Sequence, residues 1–154
     1  MKAVKIILLA LVVIVIAIQF IPSGMPENIP DDETSITQSE LISDNAMGIL
    51  KTSCFDCHSN QTEFPWYSKL APSSWLLADH IIEGKSHLNF SEWGNYSKRE
   101  MIGLLEEIRG EVETGEMPLK SYLLIHRDAK LDPEDVSIIS EWAEEASNKI
   151  MNNN

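Results

Sequence analysis

The sequence predicts a small all-α domain with long loops, preceded by one apolar N-terminal helix. Three observations predict it. Apolar residues recur at three- and four-residue spacing in several separate stretches, two of those stretches carry N-terminal capping signals, and no run alternates with the period of two that a half-buried strand requires. Removing the apolar head and the polar tail from the 154 residues leaves roughly 115, enough for one domain and one core. No internal repeat is present.

Residues 1–21 form the first segment. Lys2 and Lys5 precede an apolar run over 6–21 that only Gln19 interrupts. Counted from Ala3 the run offers about 19 residues, close to the roughly 20 of a membrane-spanning helix and longer than the ~7–15 of a signal-peptide core. A small-x-small cleavage pattern is poorly met, because Gln19, Phe20 and Ile21 stand where short side chains belong, and no cysteine follows that could be lipidated. A retained transmembrane helix is therefore expected, with a cleaved signal helix as the alternative. A buried core helix fits badly, since the run is apolar on every side. Lys2 and Lys5 place the N-terminus in the cytoplasm. The expected location is the cytoplasmic membrane, single-pass, with the domain on the periplasmic side.

Residues 22–38 contain Pro22, Pro26 and Pro30 together with Asp31, Asp32 and Glu33, and lack an apolar period. They read as a linker that extends up to about 3 Å per residue and holds a domain some tens of Å from a bilayer.

The domain proper is expected over 39–151. From Ser39, residues Leu41, Ile42, Ala46, Ile49 and Leu50 fall on one side of a helix expected to stop near Lys51. Pro72 and Ser73 open a second helix bearing Trp75, Leu76, Ala78, Ile81 and Ile82, with a stop at Gly84. Ser97 and Glu100 form a capping box for a third, whose stripe runs through Met101, Leu104, Leu105 and Ile108 towards Val112 and Gly115. The last has Asp132 as N-cap, Pro133 at the first helical position and two acids in the first turn. Val136, Ile139, Trp142, Ala143 and Ala146 follow along one face.

Composition narrows the chemistry. Twelve basic residues against 24 acidic ones give a net charge of −12, which repels phosphate backbones and excludes a nucleic-acid partner; a cationic partner surface suits it better. The only two cysteines stand three apart with a histidine directly after the second, in SCFDCHSN. So short a loop would contribute little as a disulfide. C-x-x-C-H is the haem c attachment pattern: Cys54 and Cys57 add across the two vinyl groups, and His58 is thereby held beneath the iron as a metal ligand. A zinc site would need four ligands and there is no second C-x-x-C, although His80, His87 or His126 could be recruited. A thioredoxin-like pair normally follows a strand, and none is expected here. Haem c attachment requires export, which agrees with the topology read from the head. One haem c per chain is the expected cofactor.

The run CFDCHSNQTEFPWYSKLAPSSWLLADHIIEGKSHLNFSEW, followed by GEMPLKSYLLIHRDAKLDPEDVSIISEW, resembles the bacterial haem-binding domain family, single-haem c-type modules with a short membrane or signal segment in front. The resemblance covers about residues 45–145 and implies covalent haem binding, without implying a physiological partner. With the motif placed, the expected fold is a small cytochrome c-like helical domain.

For the other side of the iron the candidates are Met47, Met101, Met117, His80, His87 and His126. Met101 belongs to an apolar stripe and Met47 to the helix leading into the motif, where a thioether ordinarily packs. His80 lies in a helix and His87 in the loop expected after it, positions typical of surface histidines. Met117 lies between Gly115 and Pro118, and proline keeps the preceding residue extended. A Met-Pro loop before a final helix is also the arrangement of many small cytochromes c, and the family resemblance places its Met-Pro here, though a second proline common in the family is replaced by Leu119. Met117 is the expected second metal ligand, with His126 and an open site as alternatives. Trp66, Tyr67, Trp75 and Tyr122 are core aromatics that can also pack on a porphyrin or bond a propionate, and Lys69, Lys85 and Arg127 can pair with propionates. The expected role is electron transfer to an unidentified redox partner, which needs no catalytic residue. The alternatives are a gas or redox sensor, a peroxidase-like enzyme with a free axial position, and an accessory domain of a larger respiratory assembly.

Overall fold

The computed structural model of the chain describes residues 1–152. Every regular element among them is helical: α1 (Lys2–Ile18), α2 (Asp44–Ser53), α3 (Phe55–His58), α4 (Ser73–His87), α5 (Lys98–Thr114), α6 (Lys120–Leu123) and α7 (Pro133–Asn152), with short 3-10 turns between them.

Capping residues set the helix ends where the sequence supplies them. Ser97 Oγ accepts from Glu100 N at 3.4 Å while the Glu100 carboxylate accepts from Ser97 N at 2.8 Å, so two of the donors left over at the start of α5 are satisfied reciprocally. Gly115 ends α5 with φ 69°, a left-handed conformation that glycine adopts without steric cost. At α7, Asp132 Oδ1 accepts from Glu134 N at 2.8 Å and Asp135 N at 3.0 Å. The first core helix begins later than the apolar spacing suggests. Ser43, not Ser39, is the N-cap of α2, accepting from Ala46 N at 3.3 Å, and Leu41 and Ile42 reach the core from the turn before it.

The stripes then bury one another. α5 lies along α7, and α2 packs on α7. Leu50, Leu105 and Ile139 are fully buried, with Ile108, Val112, Trp142, Ala143 and Ala146 around them. Each large side chain so enclosed contributes about 1.5–3 kcal/mol of burial. Trp142 also donates its indole N–H to the Leu41 carbonyl at 3.0 Å.

Helix α4 departs from expectation. It passes through Gly84 and ends at His87. Gly84 is not a stop: a Cβ there would lie 2.6 Å from the Cys57 carbonyl oxygen, so the missing side chain lets α4 and α3 touch backbone to backbone.

The N-terminal part also differs. α1 stops at Ile18, giving 17 residues and about 26 Å at 1.5 Å per residue, against about 30 Å of bilayer hydrocarbon. No helix among the described residues is long and apolar enough to cross a membrane. Gln19 is the physical reason for the early end. Its Nε2 donates to Val15 O at 3.0 Å and Ala71 O at 3.1 Å, and its Oε1 accepts from Ala71 N at 3.0 Å, which turns the chain onto the domain.

Residues 22–38 do not run free towards solvent. Asn28 and Thr62 exchange two hydrogen bonds at 2.9 and 3.1 Å, Ile29 N donates to Asn60 O at 3.2 Å, and Ser91 Oγ donates to Asp31 at 2.8 Å. Gly94 N donates to Thr34 O at 2.7 Å, and Ile36 is fully buried. An absent apolar period marks an absent α-helix here, with only a 3-10 turn over Ile36–Gln38. It does not mark an absent structure, because polar side chains and backbone pair this segment with two loops.

Candidate functional site

The C-x-x-C-H motif spans a break between two helices. α2 ends as Cys54 leaves helical geometry at φ −125°, ψ −37°, and α3 restarts at once, with Cys57 N and His58 N both donating to Cys54 O at 3.2 and 3.0 Å. In one helical turn, positions i, i+3 and i+4 share a face, which puts Cys54, Cys57 and His58 on the same side. The turn is closed by Ser59, fully buried, whose hydroxyl donates to Phe55 O at 2.8 Å and accepts from Gln61 N at 3.0 Å.

That face opens onto a cavity of two adjoining lobes, about 580 and 440 Å³, with mostly apolar walls. Each lobe alone is within the ~300–1,000 Å³ range of small-molecule sites. Cys54, His58, His87 and Met117 border both lobes, and Cys57 borders the larger. The four residues expected at the site are thus brought together on one cavity. Met117 arrives there because α5 ends in a tight turn, in which Glu116 N and Met117 N both donate to Glu111 O at 3.0 and 3.2 Å. Among the described residues that line these two lobes it is the only methionine. Met47 and Met101 pack against the hydrophobic core instead.

His58 is held from behind. Its Nδ1 lies 3.1 Å from the Leu88 carbonyl, and Phe90 meets the ring edge-on at 6.4 Å. A carbonyl only accepts, so Nδ1 carries the proton and Nε2 keeps its lone pair. Burial pushes the His58 pKa down, opposed in part by the Leu88 and Gly84 carbonyls. Burial also raises Cys54 to about 12, helped by Cys57, and Cys57 to about 11, where Asp56 adds to the rise and Lys85 opposes it. Both thiols are therefore protonated at neutral pH.

The other histidines divide. His80 and His87 line the cavity, and His87 Nε2 pairs with Glu107 at 3.0 Å. His126 is engaged elsewhere: Tyr67 Oη lies 2.8 Å from its Nε2, and Tyr122 stacks on it at 4.2 Å with planes 4° apart. Tyr122 in turn donates to Asp56 at 2.6 Å. Burial, then this bond to Asp56, pushes the Tyr122 pKa far up, so it stays a phenol. Asp56 lies inside the C-x-x-C-H motif and Tyr122 on α6, so one hydrogen bond ties the motif to the segment that follows Met117. Trp66 and Tyr67 line the cavity, whereas Trp75 directs its indole N–H to Ile21 O at 3.4 Å.

Leu88, Asp56 and Gly84 were not legible as site residues. A backbone carbonyl leaves no trace in side-chain identity, Asp56 looks like motif filler, and Gly84 imitates a helix stop.

The sequence matches the haem-binding domain family over residues 13–145. The chain belongs to that family. Comparison with curated proteins and with solved structures finds no match. The family match begins earlier than the motif-bearing region, taking in the end of α1 and the whole of residues 22–38.

A haem-binding domain needs an apolar cleft with at least one iron-ligating side chain, and the residues present fit. The cavity is large and apolar, His58 borders it, and the Leu88 carbonyl 3.1 Å from Nδ1 supplies the hydrogen-bond acceptor that metal-bound histidines usually have behind them.

Proposed function

We propose that this haem-binding domain attaches one haem c through Cys54 and Cys57, ligates iron with His58 and Met117, and serves as an electron carrier. The single observation that carries the reading is the convergence of these four residues on one cavity, with His58 Nδ1 fixed on Leu88 O.

Bound haem supplies one-electron chemistry at its iron. Cys54 and Cys57 would hold the haem through thioethers, each S–H adding across one vinyl C=C, sulfur to one carbon and hydrogen to the other, which would need no oxidant and release no leaving group. The Leu88 carbonyl orients the imidazole and, by accepting a hydrogen bond from Nδ1–H, would leave Nε2 as the ligating atom. Met117 offers a soft sulfur that favours ferrous iron. The apolar walls exclude water and limit reorganisation around the changing charge. None of this requires an acid, a base or a nucleophile.

The exposed apolar α1, which at 17 residues falls short of a full crossing, supports insertion into the outer face of the cytoplasmic membrane. Retention in membranes after a carbonate wash is the expected outcome, and release of the whole chain would exclude it.

The decisive experiment uses purified holoprotein. Acid-acetone should leave the colour on a polypeptide heavier than the sequence by one haem, and Cys57→Ser should lose a thioether. Ferrous wild type should scarcely react with carbon monoxide, while Met117→Ala should bind it readily and show a lower potential. Ready binding by wild type, unchanged in Met117→Ala, would replace electron transfer with the sensing or peroxidatic reading.

A further inference from the structure

The Leu88 carbonyl behind His58 belongs to a peptide unit that is gripped on its opposite edge as well. In a trans peptide the C=O and the following N–H lie in one plane and point in opposite directions. The peptide joining Leu88 to Asn89 presents its oxygen to His58 Nδ1 at 3.1 Å and its N–H to the Tyr96 hydroxyl, which accepts at 3.0 Å. Rotating that plane breaks both bonds together. Tyr96 borders neither lobe of the cavity; it precedes Ser97, the N-cap of α5, and its ring meets Trp93 edge-on at 6.0 Å.

The side chain of Asn89 is pinned too. Its Oδ1 accepts from Ser91 N at 3.1 Å, and its Nδ2 donates to Asn60 Oδ1 at 3.2 Å and to Glu92 at 3.0 Å. Ser91 Oγ accepts from Asn60 N at 2.9 Å. Asn60 stands two residues after His58, so the chain leaving the histidine is stitched to the chain that carries its acceptor. Asn89 and Ser91 are both buried. Apolar residues of the same shape would hold a buried loop about as tightly, because polar groups lose their hydration when enclosed. What the hydrogen bonds add is direction: they fix one peptide plane against one imidazole.

We infer that Tyr96 is a positioning residue of the haem site, which through the Leu88–Asn89 peptide sets the strength of the hydrogen bond on His58 Nδ1 and so the donor strength of Nε2. This rests on His58 being the iron ligand. An imidazole whose Nδ1–H is well accepted is a stronger base at its other nitrogen, and a stronger base favours ferric over ferrous iron. Tyr96→Phe leaves the Asn89 N–H without its acceptor, so the peptide plane loses the contact that opposes its rotation. The substitution keeps the ring and changes no charge, which separates this role from a through-space electrostatic one.

The test compares full-length holoproteins of wild type, Tyr96→Phe, Asn89→Ala and Ile139→Val by potentiometry, and by NMR of the ferrous form that follows solvent exchange of the His58 Nδ1–H. Ile139 is buried where α5 and α7 meet, and its truncation is the control for a general loss of stability. Tyr96→Phe should raise the potential and speed exchange of the Nδ1–H by about tenfold, with α7 amides changing less. Asn89→Ala should shift both in the same direction, and Ile139→Val should leave the potential unmoved. A lower urea midpoint in Tyr96→Phe with wild-type potential and exchange overturns the positioning role, as does an equal rise of potential in Ile139→Val. His58→Ala tests the reading underneath. Loss of its low-spin spectrum beside an unmoved Tyr96→Phe overturns this inference alone, whereas a retained low-spin spectrum overturns ligation by His58 and the inference with it.

Discussion

The two sides of the domain are built by different means. Where α2, α5 and α7 meet, side chains of ordinary hydrophobic type fill the interior, and three fully buried aliphatic residues with Trp142 set the spacing. Around α3, α4 and α6 two of the three helices are single turns, the centre is a cavity, and single polar or steric contacts set the geometry: Gly84 against Cys57, Leu88 O on His58, Tyr122 on Asp56. The first side gains its stability from area removed from water. The second side is organised to leave volume for a cofactor, and each of its contacts therefore has fewer substitutes.

This contrast can be broken or sharpened by substitution. Trp142→Ala should have the largest effect, destabilising by about 3–5 kcal/mol through a core cavity, seen as a lower urea midpoint of the holoprotein. Starting the chain at Ser39 should cost about 2–4 kcal/mol, from the burial of Ile36 and the hydrogen bonds to Asn60 and Ser91, whereas a start at Pro22, which removes only the exposed hydrogen bonds of Gln19 and Ile21, should cost less than about 1 kcal/mol. Equal midpoints for the two starts would show that residues 22–38 contribute nothing to the fold. Gly84→Ala should cost about 1–3 kcal/mol, since its Cβ meets backbone that cannot rotate away. Tyr122→Phe should lose about 1 kcal/mol and increase hydrogen exchange in α6 more than in α7. The smallest effect has the opposite sign: Gly103→Ala, in α5 with nothing within 4 Å of the added Cβ, should stabilise by about 0.5–1 kcal/mol.

The same contrast decides what could be read from the sequence. α5 and α7 were legible because capping and periodicity are local properties, written within one helical turn of the residues they govern. The bringing together of Cys54, Cys57, His58 and Met117 was foreshadowed because the first three share a turn and the fourth is isolated by proline. Residues 28–36 were not legible, since their partners are Asn60, Thr62, Ser91 and Gly94, distant in the chain and ordinary in type. Gly84 was misread for a related reason. Glycine serves both as a helix stop and as a place of close approach, and only the position of α3 distinguishes the two. Gln19 looked like an isolated interruption of an apolar run because the group that engages it is the backbone of Ala71.

The order in which these parts lie along the chain has a temporal consequence. A chain made from its N-terminus presents residues 54–58 before α4, before the Met117 turn and before α6, all of which help enclose the cavity in the finished domain. During that interval Cys54 and Cys57 belong to an open peptide, free of the burial that later raises them to about 12 and about 11. The thiols are thus most accessible early, before the walls of the cavity have formed around them. Access first and enclosure second is the order that the sequence imposes on any chemistry at Cys54 and Cys57.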